Sequence, residues 1–189
     1  MVKLAVFASG NGSNFQSIVD AIANSQLHAS CEVLICDQPE AKVLERAEKA
    51  NIPAFVFQIK DFANKAEFER AILKKLQAYE VEFIALAGYM RLIGPTLLEA
   101  YENQIVNIHP SLLPAFPGLD AIGQAFRAGV KVTGVTIHYV DSGMDTGPII
   151  AQKAVEVADD ETEQSLREKI HAVEHVLYPQ TLAKLFALR

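Results

Sequence analysis

Asn107 and His109 stand one residue apart in the run Ile105-Val106-Asn107-Ile108-His109. Alternate side chains of an extended segment share a face. Both polar groups therefore point one way, and Val106 and Ile108 point the other. Two polar side chains at the end of an apolar strand are costly to bury without a task. A histidine can give and take a proton near neutrality. An asparagine amide can donate to a developing oxyanion while staying uncharged. The pair reads as acid–base and oxyanion chemistry, with a satisfied structural histidine as the alternative. Pro110-Ser111-Leu112-Leu113-Pro114 stiffens the exit from this strand.

A second polar constellation is Asp141-Ser142-Gly143-Met144-Asp145-Thr146-Gly147-Pro148. Its two acids lie four apart in a turn rich in glycine and proline. Either could approach His109 and stabilise its imidazolium. The alternative is a solvated hairpin with side-chain-to-backbone turn bonds. His138 alternates with Thr136 and Val140, so it faces the same cleft or is an inert strand histidine. A third constellation is Gly10-Asn11-Gly12, between a predicted strand and a predicted helix. Two glycines let backbone amides approach an anion, and Ser13 or Asn14 can cap the helix. The dinucleotide fingerprint needs a third glycine where Phe15 stands, and no Gly-Lys-Ser/Thr follows. One phosphate fits this turn better than a dinucleotide; a purely conformational turn is the other reading.

Other residues carry less. Cys31 and Cys36 lack the spacing of a redox pair or zinc knuckle. They form no disulfide framework, which fits a reduced intracellular setting. His171 and His175 are i,i+4, but the order His-Ala-Val-Glu-His is not that of a zinc protease, and no metal is expected. Ser9, Ser13 and Ser111 lie in no nucleophile elbow. Lys169, His171, Glu174 and His175 read as a solvated helix face.

These residues need a scaffold, and the hydrophobic pattern supplies one. Short apolar runs at Val2–Ala8, Val33–Cys36, Pro53–Phe57, Val81–Ala87 and Ile105–Ile108 read as strands. Phe15–Ile22, Pro39–Ala50, Lys65–Tyr79 and Pro95–Tyr101 read as the helices between them. Such alternation predicts a βαβ sheet with helices on both faces. After a proline-rich loop and a short helix at Ala121–Ala128, two β-like runs follow, Val130–Val140 and Ile149–Val157. They predict a mostly parallel but mixed sheet. Glu163–Leu185 reads as a closing helix, interrupted near Pro179.

The chain has 189 residues, 50% of them hydrophobic and 21% charged. That suits one domain over residues 1–189 and argues against disorder. Acidic residues outnumber basic ones, 23 to 17, for a net charge of -6. A binder of nucleic-acid backbone usually has the opposite balance. No apolar stretch reaches the length of a membrane span, and no signal peptide is legible.

Taken together, Ser9-Gly10-Asn11-Gly12-Ser13-Asn14, Ala87-Gly88-Tyr89-Met90-Arg91, Asn107 through Pro114, Phe116-Pro117-Gly118 and Asp141 through Pro148 carry a resemblance over nearly the whole chain. The sequence resembles the phosphoribosylglycinamide formyltransferases, the folate-dependent enzymes of purine synthesis. The resemblance implies a Rossmann-like formyltransferase fold. It implies transfer of a formyl group from 10-formyltetrahydrofolate, a co-substrate, to the amine of glycinamide ribonucleotide. By motif, Asn107, His109 and Asp145 take the catalytic roles. Asn11, Gly12, Ser13 and Asn14 would sit at the substrate phosphate, Lys65 would add charge there, and Glu174 would meet the ribose or glycinamide part. Tyr89, Met90, Arg91, Leu92 and Ile93, with Asn107, Val140, Asp141 and Asp145, would line the folate pocket. The implied setting is cytoplasmic, without nucleic acid or membrane; monomer and homodimer both stay open.

Two sister families are less similar. Methionyl-tRNA formyltransferases usually carry an Arg-Gly-rich stretch after the motif and a further basic domain. Formyltetrahydrofolate deformylases typically add a regulatory domain before the first strand. Ala115, Asp120 and Gly123 depart from the basic or histidine residues of several family members. From other classes, a nucleotide-binding oxidoreductase is suggested by Gly10-Asn11-Gly12 and Asp37 but opposed by Phe15. A non-catalytic folate- or phosphate-binding module is the remaining alternative.

Overall fold

The computed structural model describes residues 1–188. Seven strands form one sheet: β1 (Val2–Ala8), β2 (Ala29–Cys36), β3 (Ala54–Val56), β4 (Phe83–Leu86), β5 (Ile105–His109), β6 (Val132–Tyr139) and β7 (Ile149–Glu156). Their order is β3-β2-β1-β4-β5-β6-β7. The first five are parallel, and β6 and β7 run antiparallel at one edge. The fold is therefore α/β with a mostly parallel, mixed sheet, as the alternation predicts. Six α-helices accompany it: α1 (Ser13–Ala23), α2 (Val43–Lys49), α3 (Lys65–Ala78), α4 (Pro95–Ala100), α5 (Ala121–Ala128) and α6 (Glu163–Ala187).

Strand alternation builds two cores. Leu4, Val6 and Ala8 face one side, packed with Phe15 and Ile18 of α1, Val43 of α2, Ile122 of α5 and Leu166 and Tyr178 of α6. Ala5 and Phe7 face the other, against Phe68, Ile72 and Leu76 of α3 and Leu97 of α4. The parallel strands are buried on both faces, so they read as unbroken apolar runs. The chain runs outward from β1 through β2 to β3, then crosses back to β4 on the other side of β1, so the strand order reverses between β1 and β4. A ligand crevice is expected at the carboxyl ends of strands flanking such a switch.

Two local expectations change. The structure carries Pro179 inside an uninterrupted α6. A proline in a helix interior costs about 3 kcal/mol, but Tyr178, Thr181 and Leu182 around it are buried against the sheet. The Thr181 hydroxyl also donates to the Leu177 carbonyl at 2.7 Å. Helix α2 begins at Val43 rather than near Pro39, because the Val43 amide donates to Gly10 O at 3.1 Å and docks the helix onto the glycine turn. Between β6 and β7 the register slips at Ile137/His138, beside the loop that joins them.

Candidate active site

A cavity of about 640 Å³ opens at the carboxyl ends of β1, β4 and β5. Gly10–Asn14, Gly88–Ile93, Asn107–Pro110, Gly118–Ile122 and Gly143–Asp145 contribute to its wall. Leu86, Ala87, His138, Val140, Arg167, His171 and Glu174 complete the lining among the described residues. Of the site residues that the resemblance implies, Lys65 and Asp141 fall outside this lining. Lys65 opens α3, and its aliphatic stem lies against Gly94. The Asp141 carboxylate accepts from the Gly143 amide and from the Thr146 hydroxyl, at 3.0 and 2.6 Å. It orders the loop from within.

The floor of the cavity is a hydrogen-bonded set. Asn107 and His109 share a face of β5, and His138 lies opposite Asn107 on β6. The loop after β6 brings Asp145 over them. Asp145 Oδ2 is 3.5 Å from His109 Nδ1, and its Oδ1 is 3.6 Å from His138 Nε2. Asn107 Nδ2 lies 3.3 Å from His138 Nε2 and 3.5 Å from Asp145 Oδ1. His138 Nδ1 faces the Tyr139 carbonyl at 2.7 Å. A carbonyl only accepts, so that nitrogen carries a proton; Nε2 then accepts from the Asn107 amide when the ring is neutral and donates to Asp145 when the ring is charged. His109 Nε2 in turn faces the Phe116 carbonyl at 2.8 Å, which leaves Nδ1 for Asp145. Only an imidazolium has a proton for each of those acceptors.

Asp145 adopts a left-handed backbone, φ 56°, a conformation more tolerated for aspartate than for most side chains. The Gly118 amide donates to its Oδ2 at 2.8 Å. Burial pushes this carboxyl up. The His138 hydrogen bond, the Gly118 amide and the charges of His109 and His138 outweigh burial and hold it below the usual carboxylate value. Asp145 is thus kept as an anion between two imidazoles.

The Pro110–Phe116 segment that presents the Phe116 carbonyl is itself pinned. The Ser111 hydroxyl donates to the carbonyls of Ala115 and Phe116. Behind it, Thr136 is fully buried. Its hydroxyl donates to Ser111 O at 2.7 Å and accepts from the Leu113 amide and the Gln152 side chain, each at 3.0 Å.

At the α1 end the helix starts at Gly12, in the left-handed region with φ 78°. A Cβ there would lie 2.4 Å from a Val43 methyl, so glycine is required. No side chain caps α1. The Ser13 or Asn14 cap expected from sequence does not form, because both residues lie within the first turn. Uncapped amides at a helix start suit an anion. Arg46 of α2 steadies the turn by donating to the backbone and side-chain oxygens of Asn11, both at 2.8 Å. Asn14 Nδ2 reaches Glu174 Oε2 at 3.4 Å. Burial pushes the Glu174 carboxyl up to about 7, with the Asn14 bond opposing that.

The opposite end is more apolar. Met90, Leu92, Leu119 and Met144 line the cavity while remaining largely exposed. Arg91 Nε lies 2.8 Å from Oδ2 of the buried Asp37. The Ser9 hydroxyl accepts from the Met90 amide at 2.9 Å, and Glu69 accepts from the Gly94 amide. Sequence reading missed Arg167 and His171 as lining residues. Their signal is the spacing Arg167, His171, Glu174, which places all three on one face of α6.

This geometry has known counterparts. A formyl transferase family model matches residues 2–182. The phosphoribosylglycinamide formyltransferase of Bacillus subtilis (strain 168) is 60% identical over 188 residues, covering 100% of this chain and 96% of that protein. The solved glycinamide ribonucleotide transformylase 1 of Geobacillus kaustophilus superposes with a TM-score of 0.95 at 63% identity, over 98% of each chain. A trifunctional purine biosynthetic protein adenosine-3 of Drosophila melanogaster is 42% identical over 185 residues, which are 97% of this chain and 14% of that protein. Matched over nearly its whole length, the chain belongs to the formyl transferase family.

Proposed function

We propose that the protein transfers the formyl group of 10-formyltetrahydrofolate to the primary amine of glycinamide ribonucleotide in purine biosynthesis. Residues 1–189 act as one catalytic domain, in the cytoplasm. The observation that carries this reading is the Asn107–His138–Asp145–His109 set. It lies on the floor of a cavity with an uncapped helix start at one end and an apolar rim at the other.

The amine nitrogen attacks the formyl carbon and makes a tetrahedral intermediate with charge on the former carbonyl oxygen. The Asn107 amide and the His109 imidazolium stabilise that oxygen. Asp145 stabilises the imidazolium. Directly or through water, it helps move a proton from the attacking amine to N10 of the folate. The bond between the formyl carbon and N10 then breaks, leaving formylated amide product and tetrahydrofolate. The Gly12–Asn14 turn holds the phosphate, and Glu174 meets the ribose. The folate ring and linker lie along Tyr89–Ile93, Val140 and Met144, where the rim is apolar. A net charge of -6 suits small anionic ligands held locally better than a nucleic acid.

The test is direct: combine the protein, glycinamide ribonucleotide and 10-formyltetrahydrofolate, and follow tetrahydrofolate and the formylated product. Stoichiometric appearance of both is expected. A folded protein that releases formate instead, or does nothing, overturns the reading.

A further inference from the structure

Resting on the reading that one substrate is a phosphorylated amine, we propose that Arg167 is the side chain that selects its phosphate. Among the described residues lining the cavity, two carry a permanent positive charge, Arg91 and Arg167. Arg91 is already committed at the other end. It pairs with buried Asp37, and its guanidinium lies 5.9 Å from the ring centroid of Phe68 on α3. Helix α3 covers the sheet face opposite α1 and α6. Lys65, the cation suggested by resemblance, is also on α3 and outside the lining. Arg167 is the fixed charge left on the α1 side.

Its placement is set by helix geometry. Arg167, His171 and Glu174 follow at i, i+4 and i+7, and all three face the cavity. Glu174 meets Asn14 in the first turn of α1. The face therefore begins beside the Gly12–Asn14 amides and runs toward the mouth. Asn14 is 9% exposed, and its Oδ1 has no hydrogen-bond partner. A ligand seated here must bring a donor to it, as a sugar hydroxyl does. Burial first, and the Arg167 charge second, hold His171 below the ordinary imidazole value. It offers hydrogen bonds near neutrality, and Arg167 supplies the charge.

In the free protein Arg167 is held in reserve. Its Nη2 lies 2.7 Å from Asp120 Oδ1 and 2.6 Å from Glu163 Oε1. Those carboxylates are 45% and 37% exposed, so the pairs are weak. A phosphate dianion carries more charge than a carboxylate and fits the guanidinium fork with two hydrogen bonds. Asp120 keeps Arg127, 3.0 Å away, when Arg167 turns to the ligand. The bridge extends the arginine across the cavity wall and gives it up at small cost.

Arg167→Gln and Arg167→Lys test this, with glycinamide ribonucleotide and its dephosphorylated riboside as paired substrates. Arg167→Gln should raise KM for the ribonucleotide about tenfold. It should leave kcat, the KM for 10-formyltetrahydrofolate and the riboside's kcat/KM within about twofold, and Arg167→Lys should fall between. An unchanged KM for the ribonucleotide, or an equal loss with both substrates, overturns the role of Arg167. Wild-type turnover reports separately on the reaction. Should the wild type transfer no formyl group, calorimetry with inorganic phosphate still decides the arginine: binding weakened about tenfold in Arg167→Gln supports it, and equal binding refutes it.

Discussion

At the residue scale, the arrangement turns on how few protons the floor of the cavity has to share. Asn107 offers its two amide protons to His138 and Asp145 in the free protein. An oxyanion must draw one of them away. His138 then matters as an acceptor that keeps the amide oriented, while Asp145 holds charge against His109. Replacing Asn107 or His109 by alanine removes a donor to the oxyanion, a loss of about 3 kcal/mol or roughly 100-fold in kcat. Steady-state kinetics should show that loss with KM nearly unchanged; a rise in KM at constant kcat would mean these groups bind rather than catalyse. The Asn107–His109 pair was legible in sequence because strand alternation alone puts both on one face. Which acid joins them was legible only through the motif resemblance that named Asp145, and not from spacing. Asp141 and Asp145 have equal claims until the loop folds, and the Asp141 bonds to Gly143 and Thr146 turn it inward.

At the element scale, the catalytic strand is only as well placed as the loop leaving it. Thr136 ties that loop to β6 and β7 through Ser111, Leu113 and Gln152. Thr136→Val keeps the volume but leaves a buried amide and carbonyl unpaired, at about 1–3 kcal/mol. Thermal unfolding should report that loss. Turnover should fall further than stability accounts for, because the Phe116 carbonyl against His109 loses its support; full kcat in the destabilised variant would break the link. The elements themselves were legible where period and punctuation agree, as in Ala121–Ala128, bounded by the left-handed Asp120 and Gly129. They were less legible where tertiary contacts decide. Strand β2 begins at Ala29, ahead of the apolar run, because Ala29–Cys31 pair with Val2–Leu4. The α6 face was hidden for the same reason: charged spacing reads as solvated until α1 is packed beside it.

At the scale of the whole molecule, α6 is the tie between site and core. The Tyr178 hydroxyl faces the carbonyls of Leu86 in β4 and Val106 in β5 at 2.8 and 3.3 Å. One turn before it, Glu174 is 5% exposed. Its folded-state value near 7 lies above the ordinary 4.5. Folding therefore favours the protonated form: the group is neutral in both states below about pH 4, and its cost grows as pH rises to about 7. Glu174→Gln should be neutral at low pH and more stable than the parent above pH 7, by up to about 3 kcal/mol. Chemical denaturation across pH 4–8 checks this, and a difference that stays flat contradicts it.

The slipped register at Ile137/His138 bears on which changes of length the chain can accept. Surface loops usually absorb insertions and deletions, and the loop joining β6 to β7 is mostly exposed. Yet its two ends are fixed by a ladder in which His138 faces Ile149 while Ile137 faces Ala151. Ile150 is the surplus residue. Deleting it would regularise the pairing and remove the local kink from which the Asp145 loop departs, whereas Asn107 and His109 on β5 would stay in place. Such a variant should keep its fold and lose its acid, so this hairpin has no spare length for drift to explore.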